Sequence, residues 1–499
     1  VSLPPWKRPR VRGFDSVGKG RTASLHQANV MSALDWIRLS LALLLGSVSG
    51  CAQLPRTDAL AHFQQQVSNE QASNADAVIS PLDVHEQAAV DARVTALLAL
   101  PLTPQAAVEV TLLRNPEVLE AYAQLGLSEA DVAAAGRIAN PIFAGSLITG
   151  AGERQAIGSI EQSLSDLVLL ATRKRLAAGE YQRIEDLQVA KVLDLIRDTD
   201  AAWYRYVGAE QIKSLRAAVA HSAELAATLA QRFFDAGNVS ALELAVARAN
   251  AAQARLAAVR AATDARAAQY HLQTQMGLTG PPRWSTPAEL PAPSAVADPT
   301  EALVARALER RPDLRAAREE VTFWTDALRI ARRWRWLGAV DVGVEREREP
   351  DGHVLNGPTL TLALPIFNQG QVGIARAQSQ LELRRARVRA LETAADNSVR
   401  LGCERVLDAY RVAEEYRTAV VPEYELMVQR QQELQNYMLI GQFELLRSKQ
   451  QQYDAYQGYL EAVRDFWLAR VELGRAVGMQ LAPVAANPTI GTDAILETP

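Results

Sequence analysis

A chain of 499 residues would ordinarily divide into several compact domains, and its formal net charge of −4 is too small a bias to suggest a nucleic-acid partner. The six histidines (His26, His62, His85, His221, His271 and His353) are scattered, with no HExxH or paired Cys/His spacing. No phosphate-cradling glycine loop or nucleophile elbow is present either. Catalysis, a metal site and a cofactor are therefore not expected.

The amino-terminal region reads as a leader. No apolar run is long enough for a transmembrane helix of the mature protein. Residues Leu39 to Leu45 form a short apolar h-region, and Val48-Ser49-Gly50-Cys51 follows it. Small residues before a cysteine resemble the lipobox of bacterial lipoproteins, so Cys51 is expected to carry a covalent lipid. Residues 1–50 are the expected leader, with Met31 as the initiator. Cys403 then has no disulfide partner and is expected to pack in a helix.

Residues 51–102 are mixed and polar, with extended and short helical pieces expected. One helix is expected from Thr103 to about Ile138, ended by Asn140-Pro141. Residues 141–165 carry four glycines among Ile142, Phe143, Leu147, Ile148, Ile157 and Ile160, which fits two strands of weak alternation. A helix near seventy residues long, roughly 100 Å at the standard rise, is expected from Asp166 to about Ala236. A tip at about 231–244 contains Arg232, Gly237, Ser240, Leu242 and Glu243. The returning helix shows coiled-coil spacing at Leu242, Ala245, Ala249, Ala252, Leu256 and Val259, read as its core stripe. Residues 281–300, with six prolines, read as a strap outside the regular core.

The second half, 301–478, repeats this order. Val340, Val342 and Val344 alternate with Asp341, Gly343 and Glu345, and Leu360, Leu362 and Leu364 with Thr361 and Ala363, which places strands at about 338–366. Arg346, Glu347, Arg348 and Glu349 are expected as a solvated charge run in a loop. An unbroken helix is expected from Asn368 to about Ile440. A tip at about 435–446 holds Tyr437, Gly441, Phe443, Glu444 and Leu445, with Arg447 and Gln450 just beyond. Tyr453, Tyr456, Leu460, Val463 and Trp467 give the return helix its stripe, and residues 479–499 form a tail.

Arg114-Asn115-Pro116-Glu117 matches Arg311-Pro312-Asp313 at an offset of 196 residues, whereas Gly237 and Gly441 lie 204 apart. The chain is thus read as an internal duplication whose second copy gained about eight residues. The glycines are expected to take positive φ and reverse the chain. The alternation alone fits either outer-membrane strands or a half-buried soluble sheet. If the strands span a membrane, four cannot close a barrel, and the missing pairing must come from further copies.

In order and in both copies, these features resemble the outer-membrane efflux proteins, the TolC-like outer-membrane factors, over Thr103 to about Gly478. The motifs are Asn115-Pro116-Glu117, Arg311-Pro312-Asp313, the two tips, and Leu362-Ala363-Leu364-Pro365-Ile366-Phe367 entering a long helix. With the lipobox the chain resembles the lipidated branch. The resemblance implies a mixed α/β membrane protein and a homotrimer. Each protomer would give four strands to a twelve-stranded β-barrel, continued by a periplasmic α-helical barrel. It implies an exit duct anchored in outer-membrane lipid, a periplasmic membrane-fusion adaptor and an inner-membrane efflux pump, in the outer membrane of a Gram-negative bacterium. Arg232, Gly237, Ser240, Leu242, Tyr437, Gly441, Phe443 and Leu445 match the tip motif that adaptors engage. Known members carry acids six and nine residues after the second tip glycine; this chain has Arg447 and Gln450 there. Glu243, Glu444, Arg447 and Gln450 are therefore the candidate gate, with Glu444 and Arg447 spaced to pair. The readings set against the efflux duct are a lipid-anchored periplasmic coiled-coil scaffold and the outer-membrane duct of a type I protein secretion system.

Overall fold

The computed structural model describes residues 63, 65, 87–150, 153–294, 298–336, 338–479 and 481. The expected leader, Cys51 and most of the tail lie outside the described residues.

Each half begins with two helices meeting at an elbow. Helix α1 (Gln87–Leu98) precedes α2 (Pro104–Arg114) and α3 (Pro116–Ala135). A single helix was expected here, but Asn115 is extended at φ −69° and ψ 127°, because the residue before proline disfavours the helical region. Its side chain accepts a 2.8 Å hydrogen bond from the Glu117 amide, starting α3 while ending α2. Strands β1 (Ile142–Gly150) and β2 (Glu153–Ser163) follow, then α4 (Leu164–Asp235) and α5 (Ala241–Gln275). At 72 residues α4 is about 108 Å long.

The second half repeats the sequence of elements. Helices α6 (Thr300–Arg310) and α7 (Pro312–Arg333) meet at Arg311, and β3 (Val340–Arg348) pairs with β4 (Val354–Leu362). Helix α8 (Gln371–Glu415) then passes through a π-helical turn, Tyr416–Val420, into α9 (Val421–Asn436), and α10 (Gln442–Val477) returns. The unbroken helix expected here contains Pro422, which has no amide hydrogen to donate. The five-residue π turn just before it absorbs that loss. Tyr416, on this turn, lies over Gly458, where an added Cβ would come within 2.6 Å of the ring.

The structure also corrects the register of the duplication. Gly237 holds φ +80°, but Gly441 is extended at φ −76° and caps α10. The residue with positive φ in the second tip is Met438, at φ +57°. Gly237 and Asn238 donate to the carbonyls of Phe234 and Phe233 at 2.9 and 2.8 Å, and Met438 and Leu439 to those of Gln435 and Leu434 at 2.8 and 2.9 Å. These are the same pair of C-capping bonds. Met438 is therefore the counterpart of Gly237, and Gly441 of Ser240. Gly277 and Gly478, both at positive φ, end the two return helices at the same offset of 201 residues. Each closes on its own elbow: Asn115 Nδ2 donates to the Gln275 carbonyl at 2.7 Å, and Arg311 Nη1 to that of Ala476 at 3.0 Å.

The main core gathers both halves around an aromatic group. The rings of Tyr204 and Trp467 stack at 5.1 Å, while Phe466 and Trp203 meet their neighbours edge-on. The proline-rich strap is not outside this core. Leu290 is buried in it, Ala292 is buried close to Leu290 in the chain, and Trp467 Nε1 donates to the Pro291 carbonyl at 2.8 Å. Of the expected stripe, Tyr456, Leu460, Val463 and Trp467 are buried and Tyr453 is half-buried against the core. The first return helix uses a different face. Leu244, Ala247, Ala251, Ala261 and Ala265 are buried, whereas Leu242, Leu256 and Val259 are exposed by 72, 60 and 63 %.

Candidate functional site

The four strands form one antiparallel sheet in the order β1-β2-β3-β4, so the two halves of the duplication join through β2 and β3. The paired ends Gly150 and Glu153 of the first hairpin and the turn between β3 and β4 lie at the end away from the helices, since β2 runs into α4 and β4 leads to α8. Among the described residues β1 and β4 have no further strand beside them.

Register assigns every side chain to one of two faces, because directly paired residues share a face and neighbours along a strand alternate. Phe143, Ile160, Val344 and Pro358 lie in one cross-strand row, and Val342 and Leu360 in the adjacent row on the same face. Leu147, Val340, Val354 and Leu362 lie on this largely apolar face too, which also carries Gln162 and, toward the turns, Arg154, Arg346 and Arg348. The opposite face is mixed: it carries Ile142, Ile148, Ile157 and Leu355 beside Ser146, Ser159, Thr359 and Thr361, and holds all the carboxylates of the sheet, Glu153, Glu161, Asp341, Glu345 and Glu347. Gln155 donates to Glu347 along that face. Gly343 is required there, since a Cβ would stand 2.5 Å from the Ile160 carbonyl oxygen and 2.7 Å from Thr359 Oγ1. Arg346 and Arg348, expected in a loop, are the last alternating residues of β3.

At the far end of the helices the first tip is closed by a capping box. Ser240 Oγ accepts from the Glu243 amide at 3.2 Å, and the Glu243 carboxylate accepts from the Ser240 amide at 2.7 Å. Those hydrogen bonds hold the Glu243 carboxyl below its ordinary pKa. The second tip has Gly441 at the capping position and no side-chain cap. Its reversal exposes Tyr437, Met438 and Leu439 by 78, 93 and 68 %. Arg232, Gly237, Ser240 and Leu242 of the first tip are exposed, and Leu445 is half-buried. Phe443 sits in the first turn of α10.

The candidate gate residues do not gather into one cluster. Glu243 is committed to its capping box, and Glu444 and Arg447 form no ion pair with each other among the described residues. Arg447 and Gln450 instead line a groove of about 940 Å³ between the α4–α5 hairpin and α10. Across this groove Arg216 Nη2 of α4 meets Asp454 Oδ1 of α10 at 3.1 Å and Arg216 Nε donates to Gln457. Gln450 Nε2 donates to the same Asp454 oxygen at 3.2 Å. Sequence reasoning missed this clasp, because neither Arg216 nor Asp454 falls in a repeated motif or at a fixed spacing from a tip.

Two long helical hairpins hung from a four-stranded antiparallel sheet, duplicated within one chain, define the fold of the TolC-like outer-membrane channels. The solved structures it matches include the CmeC outer-membrane channel of Campylobacter jejuni, with a TM-score of 0.65 at 15% identity over 75% of this chain and 85% of that one. The MtrE outer-membrane channel of Neisseria gonorrhoeae, in its open state, matches with a TM-score of 0.62 at 16% identity over 76% of this chain and 89% of that one. The outer-membrane protein VceC of Vibrio cholerae matches with a TM-score of 0.61 at 14% identity over 75% of this chain and 96% of that one. No protein-family model and no curated protein matches the sequence.

Proposed function

We propose that this protein is the outer-membrane exit duct of a tripartite efflux system. It would conduct passively what an inner-membrane pump delivers through a periplasmic adaptor. The observation that carries the reading is the sheet: one face is largely apolar with its arginines gathered at the turn end, the other holds every strand carboxylate, and among the described residues the two edge strands have no partners. Open edges in hydrocarbon leave backbone groups unpaired, so such a sheet is stable in a membrane only when further copies close it into a barrel. Three copies would give the twelve strands of a trimeric barrel. The exposed Leu242, Leu256 and Val259 stripe of α5 then serves as a contact face between copies in the helical barrel.

The tips, with Tyr437, Met438 and Leu439 open to solvent, are the adaptor-docking surface. Arg447 and Gln450, which line the groove beside the Arg216–Asp454 clasp, would act in the gate between copies. Cys51 is the proposed lipid anchor. The efflux reading is tested by exposing a deletion strain to metal salts, antibiotics and detergents. Sensitivity to any of these classes supports it and names the substrate. Wild-type tolerance throughout, together with loss of a secreted protein, would replace efflux by secretion.

A further inference from the structure

The sheet separates its charges by face. All five carboxylates lie on one face, and the three arginines of the strands, Arg154, Arg346 and Arg348, lie on the other. The run Val340-Asp341-Val342-Gly343-Val344-Glu345-Arg346-Glu347-Arg348 turns each acid one way and each valine or arginine the other. The arginines also occupy one end of their face. Arg348 pairs in register with Ala156 and Arg346 with Gly158, which puts Arg154 diagonally beside Arg348. The apolar residues Val340, Val342 and Val344 fill the same face toward the helices, and the hairpin turns lie just beyond the arginines.

This arrangement places Arg346, Arg348 and Arg154 in succession toward the turn end of one face. None of the three has an ion pair among the described residues, and all three are exposed. The carboxylates that follow β3 in the chain, Glu349 and Asp351, are in the turn; Asp351 is 4.0 Å from His353. Nor is a second copy well placed to neutralise Arg346 and Arg348, because β3 is an inner strand with β2 and β4 of its own chain on either side. Like charges on neighbouring positions of one sheet face repel. Their clustering here, above an apolar band, calls for a polyanion supplied from outside the chain.

We propose that Arg154, Arg346 and Arg348 bind the phosphate groups of the anionic glycolipid that forms the outer leaflet, a lipopolysaccharide. The proposal rests on the outer-membrane reading, which orients the apolar face toward lipid and the turns toward the exterior. Arg346 lies about 20 Å along β3 from Val340, at the standard rise of a strand. From there the guanidinium reaches past the hydrocarbon boundary while its stem stays on the apolar face. Arginine suits the task because its planar fork donates two parallel hydrogen bonds to a phosphate. The carboxylates on the opposite face keep such an anion off the lumen side.

The test uses the full-length oligomer in detergent, titrated with vesicles containing lipopolysaccharide. The triple variant Arg154→Gln/Arg346→Gln/Arg348→Gln should bind about tenfold more weakly or worse, while its heat-modifiable migration on gels is retained. The triple lysine variant, which keeps the charge, should retain most of the affinity, and wild-type binding should weaken with salt. Dephosphorylated lipid should lower wild-type affinity to that of the glutamine variant. Equal binding by wild type and the glutamine variant would overturn the proposal and leave the channel reading intact. Equally tight wild-type binding to phosphatidylglycerol vesicles would overturn the assignment to the glycolipid. Absence of a heat-modifiable form of the wild type would refute the membrane-spanning reading, and the proposal with it.

Discussion

Met438 holds φ at +57° in a tip whose counterpart residue is glycine. A side chain in that region costs about 1–2 kcal/mol, offset in part by the greater unfolded-state freedom that glycine would bring. Met438→Gly should therefore steady the second tip by up to about 1 kcal/mol, seen as slower amide exchange over 434–442. Faster exchange would mean that the methionine side chain packs against something the strain serves. At the first tip, Ser240→Ala removes the hydroxyl half of the capping box, while the backbone amide at that position can still donate to Glu243; it should weaken the start of α5 by about 1 kcal/mol, with faster exchange confined to its first turn.

A second residue-scale prediction concerns pH. Asp200 is buried in α4, and loss of hydration raises its pKa to about 7 against the opposing attraction of Arg197. An acid with a raised folded-state pKa opposes folding once it ionises. The penalty is absent below its ordinary value near 3.8, grows as pH rises, and is complete above about 7. Asp186, raised to about 6 mainly by burial with Arg315 lowering it, has the same sign. Asp200→Asn should gain in thermal stability relative to the wild type as the pH is raised from about 4 to about 7. A constant difference across that range would show that Asp200 is not desolvated in the folded protein.

At the scale of elements, the π turn is held in place by a glycine on the opposing helix. Gly458→Ala would drive a methyl into the Tyr416 ring and should cost about 1–3 kcal/mol, read as faster exchange at 412–424 and 454–462. Much of this level was legible in the residues. The β3–β4 alternation and the aromatic stripe of α10 carry strong local signals, whereas the run from Thr103 to Ile138 reads as one helix and hides the elbow at Pro116. The α5 stripe carries no such signal, because a helix rich in alanine satisfies the heptad spacing on more than one face. The tip register failed for a related reason: a conspicuous glycine was aligned with another glycine, when a cap and a positive-φ residue three positions apart were the true counterparts. The Arg216–Asp454 clasp joins residues more than two hundred positions apart and leaves no local trace.

At the scale of the whole molecule the unpaired β1 and β4 edges, the apolar sheet face and the exposed α5 stripe all point to further copies of the same chain. Arg447 makes no ion pair among the described residues, so its role is argued at this level. Arg447→Ala should loosen the closed state and raise single-channel conductance of the purified oligomer; unchanged conductance would remove Arg447 from the gate. Gly343→Val should block closure of the sheet, since its Cβ cannot fit between Ile160 and Thr359.

The most direct measurement is the mass and migration of the full-length protein extracted from outer membranes, with and without heating, followed by protease digestion in the membrane. A trimer that migrates differently after heating, with 142–163 and 340–362 protected, is the result expected of a closed barrel. A protein that remains a monomer, migrates identically before and after heating, and is cut within these strands would contradict the account.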